Sequence, residues 1–157
     1  FAARGLGTGL GPIFARYVFK NRNLWPFLLG SLVSGCGIAY VVIGFLEWSP
    51  WIAVIVVLGH ASSAINWVLS TVLLQERSED EWRGRLFSTD FLLMTTFNGL
   101  STLAASLMLE YTEITLREGI QLFAFLQVLS GIIWVVLMLP KERRYLKETQ
   151  ESIGINP

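Results

Sequence analysis

The side chains best suited to binding a solute lie around the single histidine of the chain, inside an apolar stretch. At helical spacing, His60, Ser63, Trp67 and Ser70 fall on one face. A face with an imidazole, an indole and hydroxyls is unsuited to lipid, so we expect it to meet protein or a water-filled cavity. Two interpretations stay open: the face lines a substrate path or senses protons, or His60 is neutral and bonds a neighbouring helix.

A second group of charged residues lies in the stretch 76–87, where acidic and basic residues alternate, and extends to Asp90 in the apolar segment that follows. The group consists of Asp80, Arg83, Gly84, Arg85 and Asp90. We expect Asp90, about one turn inside the next helix, to bond Arg83, Arg85 or a neighbouring helix end. Such a cluster can hold one conformation and release another, which would make it a gate. The alternative is that these charges only fix the topology.

Catalytic and metal chemistry find little support in the sequence. The chain has one histidine and one cysteine, Cys36, and no Asp or Glu lies deep in any of the intact predicted spans. A serine-hydrolase triad and a buried metal site both need more such groups. We therefore predict no catalytic residues, no enzyme activity, no bound metal and no cofactor.

Four glycines near the start, Gly5, Gly7, Gly9 and Gly11, could suggest a nucleotide-binding loop. The G-x-G-x-x-G spacing fails because Leu10 stands at the third glycine position, and no strand precedes the run. Within a helix, the pairs Gly5/Gly9 and Gly7/Gly11 are four residues apart, the small-xxx-small pattern of close helix packing. We therefore predict that these glycines pack against another helix.

The distribution of charge shows which elements must hold these residues. The chain has 157 residues, 53% hydrophobic and 15% charged, with 12 basic and 12 acidic side chains. Charge-free gaps of 24, 28, 19 and 22 residues follow Arg22, Glu47, Asp90 and Glu118. A membrane-spanning helix needs about 20 apolar residues, so each gap can hold one. Without an excess of basic charge, nucleic acid is not an expected partner.

The predicted fold is an all-α, polytopic bundle of membrane helices, with the lipid bilayer as a partner. Its elements are a truncated membrane helix at 1–17, spans at 26–46, 51–75, 88–109 and 119–140, a charged cytoplasmic link at 76–87 and a cytoplasmic tail at 141–157. Numbering the sides alternately places ten of the 12 basic residues on one side and only Arg117 on the other. Because positive charge favours the cytoplasm, we expect the C-terminus to be cytoplasmic.

The charged link resembles a known family at specific residues. Asp80, Arg83-Gly84-Arg85 and Leu86-Phe87 match the cytoplasmic link between helices ten and eleven of the major facilitator superfamily. The stretch 66–75 is similar to helix ten of that family, especially in its bacterial branch of transmembrane secretion effectors. The chain departs from the family at Ala15, where the cytoplasmic signature between helices eight and nine has an aspartate.

This resemblance implies the C-terminal part of a twelve-helix transporter, with the five helical segments corresponding to helices eight to twelve. It implies a secondary active exporter of small or amphipathic molecules, located in the plasma (inner) membrane and working by alternating access. The implied partners are the N-terminal half of the same transporter and the small-molecule substrate, and an ion or proton gradient could drive transport. Helix ten lines the cavity in such proteins, which would place the face around His60 near the substrate. The alternative is a membrane-embedded subunit or scaffold that packs against a partner protein and transports nothing.

Overall fold

The computed structural model describes the backbone of residues 1–152 and the side chains of residues 1–148. Within these residues every regular element is helical. The elements are α1 (Ala2–Val18), a 3-10 turn (Arg22–Leu24), α2 (Trp25–Phe45), α3 (Trp51–Arg77), α4 (Asp80–Tyr111), α5 (Leu116–Ile133), a π-helical segment (Trp134–Met138) and α6 (Leu139–Ser152). Four helical stretches are long and apolar enough to cross a membrane: Arg22–Phe45, Trp51–Arg77, Asp80–Tyr111 and Leu116–Glu148. By length and composition, the chain is an all-α, multi-pass membrane protein.

The helix starts follow from local chemistry. Pro26 lies in the first turn of α2 and Pro50 precedes α3, positions where a missing N–H removes no helical hydrogen bond. Thr115 and Glu118 form a capping box at the start of α5, in which each side chain bonds the backbone N–H of the other. These caps set where α2, α3 and α5 begin after their short connections.

The stretch 76–87, predicted as a link, is helical over most of its length. α3 continues to Arg77 and α4 begins at Asp80, so only Ser78 and Glu79 separate them. Acidic residues in the first turn of α4 complement the positive end of its dipole, and Asp80 pairs with Arg83 one turn later at 2.6 Å. These local interactions extend α4 back through the charged residues, eight residues before the predicted start of the span at position 88.

The helix of the last span also continues past its predicted end at residue 140. Pro140 has no N–H to donate and its ring crowds the preceding turn, which would break a regular α-helix. The π-helical segment lies directly before this proline and widens the turn, so the chain continues into α6. The predicted tail, 141–157, is therefore helical to Ser152, and its residues 153–157 lie outside the described part.

The helices pack in the order α1, α3, α2, α5, and α4 stands apart from this row. α1 runs parallel to α3, because Gly7 and Gly11 approach residues 57–61 and Ala15 clusters with Ile65 and Leu69. A Cβ on Gly11 would lie 2.7 Å from the carbonyl oxygen of Ala61, so the two backbones touch. Gly5 and Gly9 face away: a Cβ on either would meet no atom within 4 Å.

α2 and α5 run antiparallel and approach through glycines seven residues apart on α2. A Cβ on Gly30 would lie 2.7 Å from the carbonyl oxygen of Gly131, and one on Gly37 would lie 2.8 Å from that of Ala124. Gly44 faces the Gln121 side chain in the same way. Two hydrogen bonds also join the pair, from Ser34 Oγ to the Val128 carbonyl (3.1 Å) and from Trp134 Nε1 to the Pro26 carbonyl (2.9 Å).

α4 has no buried residue along its 32 residues. It approaches α5 near the loop that joins them, where Met108 and Leu109 lie beside Gly119. Its polar side chains within the span bond only to their own helix, as when Thr102 Oγ1 donates to the Asn98 carbonyl. The rest of its surface is uncovered by the described residues.

The two glycine faces of α1 give a matched test of the packing. We expect Gly11→Ala to destabilise the protein by about 1–3 kcal/mol, because its methyl group must displace the backbone at Ala61. Gly9→Ala brings the same gain in helix propensity into open space and should not destabilise the protein. Thermal unfolding in detergent, followed by tryptophan fluorescence, measures the difference. Equal midpoints for the two variants would contradict the α1–α3 contact.

Candidate functional site

An open cleft of about 490 Å³ lies between α1 and α3. Its lining residues come from one face of each helix: Arg4, Thr8, Pro12, His60, Ser63, Ala64, Trp67 and Val68. The cleft exists because α1 packs on the side of α3 that carries Ala61 and Ile65, which leaves the adjacent face of α3 uncovered. Its volume lies within the 300–1,000 Å³ range that is typical of small-molecule sites.

His60 joins this cleft to α2. Its Nε2 atom lies 2.8 Å from the hydroxyl oxygen of Tyr40, and the two rings meet edge to face, with centroids 6.0 Å apart. Gly59 permits this contact, since a Cβ there would lie 3.2 Å from that of Ala39 on α2. The hydroxyl donates when Nδ1 carries the imidazole proton and accepts when Nε2 does. His60 therefore has a partner on a neighbouring helix and also lines the cleft.

The other residues predicted on this face separate into two places. Ser63 and Trp67 line the cleft with His60, and the Trp67 side chain is about half exposed. Ser70 lies apart from the cleft: its Oγ donates to the Trp67 carbonyl, and it borders a cavity of about 310 Å³ between α2, α3 and α5. Asn66 and Ser130 border that second cavity too.

Arg4 belongs to the site and was not predicted there. It lies on the face of α1 that carries Thr8 and Pro12, each four residues further along, and Thr8 Oγ1 donates to its carbonyl at 3.0 Å. The Arg4 guanidinium forms no hydrogen bond or ion pair with any described residue. The available signal was Arg4 itself, the one basic residue between positions 2 and 15, which the assignment of basic residues to the two sides of the membrane left out.

The charged residues at the C-terminal end of α3 form ion pairs with residues of other elements. Glu76 pairs with Arg22, which also stacks over the Trp25 ring at 5.0 Å. Arg77 Nη1 donates to Oε1 of Glu142 on α6 at 3.0 Å, and its Nη2 lies 2.8 Å from Oε2 of the same carboxylate. Two consecutive residues thus connect the end of α3 to the start of α2 and to the tail helix.

The predicted gating residues pair within their own helix instead. Arg83 contacts Asp80 and donates to the Ser78 carbonyl at 3.3 Å, and Arg85 stacks over the Trp82 ring at 4.9 Å. Gly84 has open space around it. The predicted bond from Asp90 to Arg83, Arg85 or a neighbouring helix does not form, and Asp90 is exposed. Because the charged stretch is helical, side chains three residues apart, such as Asp80 and Arg83, lie close enough to pair within their own helix.

The contribution of the Arg77–Glu142 ion pair to the docking of α6 can be measured by proteolysis of that helix. We expect Glu142→Gln to weaken the docking of α6 by about 1 kcal/mol, because an ion pair becomes a hydrogen bond from the Arg77 guanidinium to a neutral amide. Trypsin sites at Arg143, Arg144 and Lys147 lie in α6, so their cleavage in detergent should accelerate roughly fivefold. Glu148→Gln, a charge-matched change in the same helix, is the control. Equal cleavage rates in the two variants would show that the Arg77–Glu142 ion pair does not stabilise the docking of α6.

Comparison with known proteins identifies no relative: no protein-family model, no curated protein and no solved structure matches this chain.

Proposed function

We propose that this chain is part of a secondary transporter of the major facilitator type, which exports small or amphipathic molecules by alternating access. One observation carries the proposal: a polar cleft opens on a membrane-spanning helix, about one third of the way along it. His60 lies nine residues from the start of α3, or about 14 Å along a helix that is some 40 Å long. Polar groups at that depth mark substrate or ion paths in membrane proteins.

In this proposal α1 to α3 take the places of helices eight to ten, and the last two spans those of eleven and twelve. The membrane is a plasma membrane, and the end of α3 that carries Glu76 and Arg77 faces the cytoplasm with the tail. The N-terminal half of the transporter closes the cleft from the open side and covers α4. An ion or proton gradient supplies the energy.

The gate is placed at the cytoplasmic ends of α3 and α4. The ion pairs Arg22–Glu76 and Arg77–Glu142 join separate elements, so they change when those elements move. The charges of Asp80, Arg83 and Arg85 lie in the first turns of α4, within reach of whatever packs beside it. A role for these three residues in gating rests on the sequence resemblance.

The second candidate is a membrane-embedded subunit that packs against a partner protein and transports nothing. The exposed length of α4 agrees with it, because an amide side chain such as that of Asn98 on a span requires a protein neighbour. A transporter half would cover α4 equally well, so this observation supports both candidates. The polar cleft has no role in a purely structural subunit.

A transport assay distinguishes the two candidates. We expect the full-length protein in proteoliposomes to move small amphipathic dyes, and Trp67→Ala to raise the half-saturating dye concentration about tenfold, equivalent to roughly 1.4 kcal/mol. His60→Ala should change the pH dependence or the range of dyes moved. Trp51→Ala removes an indole of the same size from the start of α3, outside the cleft, and is the control.

Transport that is normal in both cleft variants would contradict a substrate path along α3. Absence of transport across a panel of anionic, neutral and cationic dyes would favour the structural subunit.

A further inference from the structure

We infer that the cleft between α1 and α3 binds an organic anion, with Arg4 as the group that recognises its charge. The inference rests on the proposed function only in naming the class of substrate, because the binding site itself can be measured without transport.

The charge of the cleft has one sign. Arg4 is the only charged residue that lines it, and no Asp or Glu is among the lining residues. The described ion pairs all lie elsewhere, at the ends of α3, α4 and α6. Arg4 lies in the first turn of α1, beside a membrane-spanning helix, and a guanidinium next to apolar surface is stabilised when an anion or several acceptors approach it. The missing counter-charge can come from a bound ligand.

The neighbouring groups fit an anion with an apolar body. A guanidinium offers two parallel N–H donors to a carboxylate, sulfonate or phosphate. The Ser63 hydroxyl is exposed in the same cleft and can donate a further hydrogen bond. Trp67, about half exposed, offers a flat apolar surface to a ring or chain. A cationic molecule would meet Arg4 with like charge and no acid to offset it.

His60 offers one further hydrogen-bonding atom to a ligand at the α2 side of the cleft. Its Nε2 is occupied by Tyr40, so only Nδ1 remains for the ligand. In the tautomer that keeps the proton on Nδ1, this atom donates to an oxygen of the anion. Arg4, Ser63 and His60 then each offer an N–H or O–H donor within the cleft.

Binding to the full-length protein in nanodiscs of neutral phosphatidylcholine tests the inference with three ligands of one shape. These are 2-naphthoate, the neutral 2-naphthylmethanol and the cationic 2-naphthylmethylamine. We expect naphthoate to bind at least tenfold more tightly than the other two. Arg4→Gln should abolish this preference, Arg4→Lys should keep part of it, and Arg117→Gln, which changes a basic residue outside the cleft, should leave it intact.

Equal or tighter binding of the neutral or cationic ligand would overturn the inference, as would an unchanged preference in Arg4→Gln. A second arm adds phosphatidylglycerol to the nanodiscs. Displacement of naphthoate that depends on Arg4 would support the anion site and identify a lipid headgroup as its occupant. No displacement would support a free organic anion.

The outcome separates this inference from the proposed function. Naphthoate binding through Arg4 in a protein that transports none of the dyes would retain the anion site and remove the transporter. Dye transport by a protein that binds the three naphthyl ligands equally would retain the transporter and remove the anion site.

Discussion

The contact between backbones at glycine is the constraint on which the rest of the structure depends. In lipid, helices gain little hydrophobic free energy by associating, so their packing relies on close approach and dispersion. Gly7 and Gly11 allow α1 to touch α3, and Gly30 and Gly37 allow α2 to touch α5. These contacts fix which faces of the helices are covered. The cleft is the part of α3 that such packing leaves open.

The positions of the polar groups on these packed helices follow from the free-energy cost of placing charge in an apolar layer. Ion pairs collect at the helix ends, where Glu76 and Arg77 meet partners on two other elements. Within the spans most hydroxyls bond a carbonyl of their own helix, which satisfies them without a second element. Tyr40–His60 and Ser34–Val128 are exceptions that join two helices. Arg4 is an exception of another kind, since no described residue neutralises it.

The sequence predicts the existence of the spans well because the membrane excludes charge, and gaps in charge are visible in one sequence. The span predicted at 51–75 corresponds to α3, Trp51–Arg77. Helix ends are predicted less well: α4 begins at Asp80 through its own ion pair, and the last helix passes Pro140 through a π turn. Both depend on local geometry that a count of charges does not contain.

The candidate site could be predicted only in part. Helical spacing places His60, Ser63 and Trp67 on one face, and the structure puts all three in the cleft. The Tyr40 partner and the Arg4 contribution come from other helices, and spacing within one helix carries no information about them. The same limit applies to the glycines of α1, since both pairs have identical spacing and only tertiary packing distinguishes Gly7/Gly11 from Gly5/Gly9.

The backbone contact between α1 and α3 and the ion pairs of Glu76 and Arg77 allow different movements if the cleft opens and closes. The α1–α3 contact joins backbone to backbone, so no side-chain rotation can relieve a shift, and the two helices move together. The contacts at Glu76 and Arg77 are side-chain ion pairs: the exposed pair Arg22–Glu76 is worth at most about 1 kcal/mol, and the less exposed pair Arg77–Glu142 about 1–3 kcal/mol. About 26 Å of α3 separates His60 from Arg77. A ligand that shifts α3 within the cleft therefore meets least resistance at the ion pairs of Glu76 and Arg77, and these contacts break first.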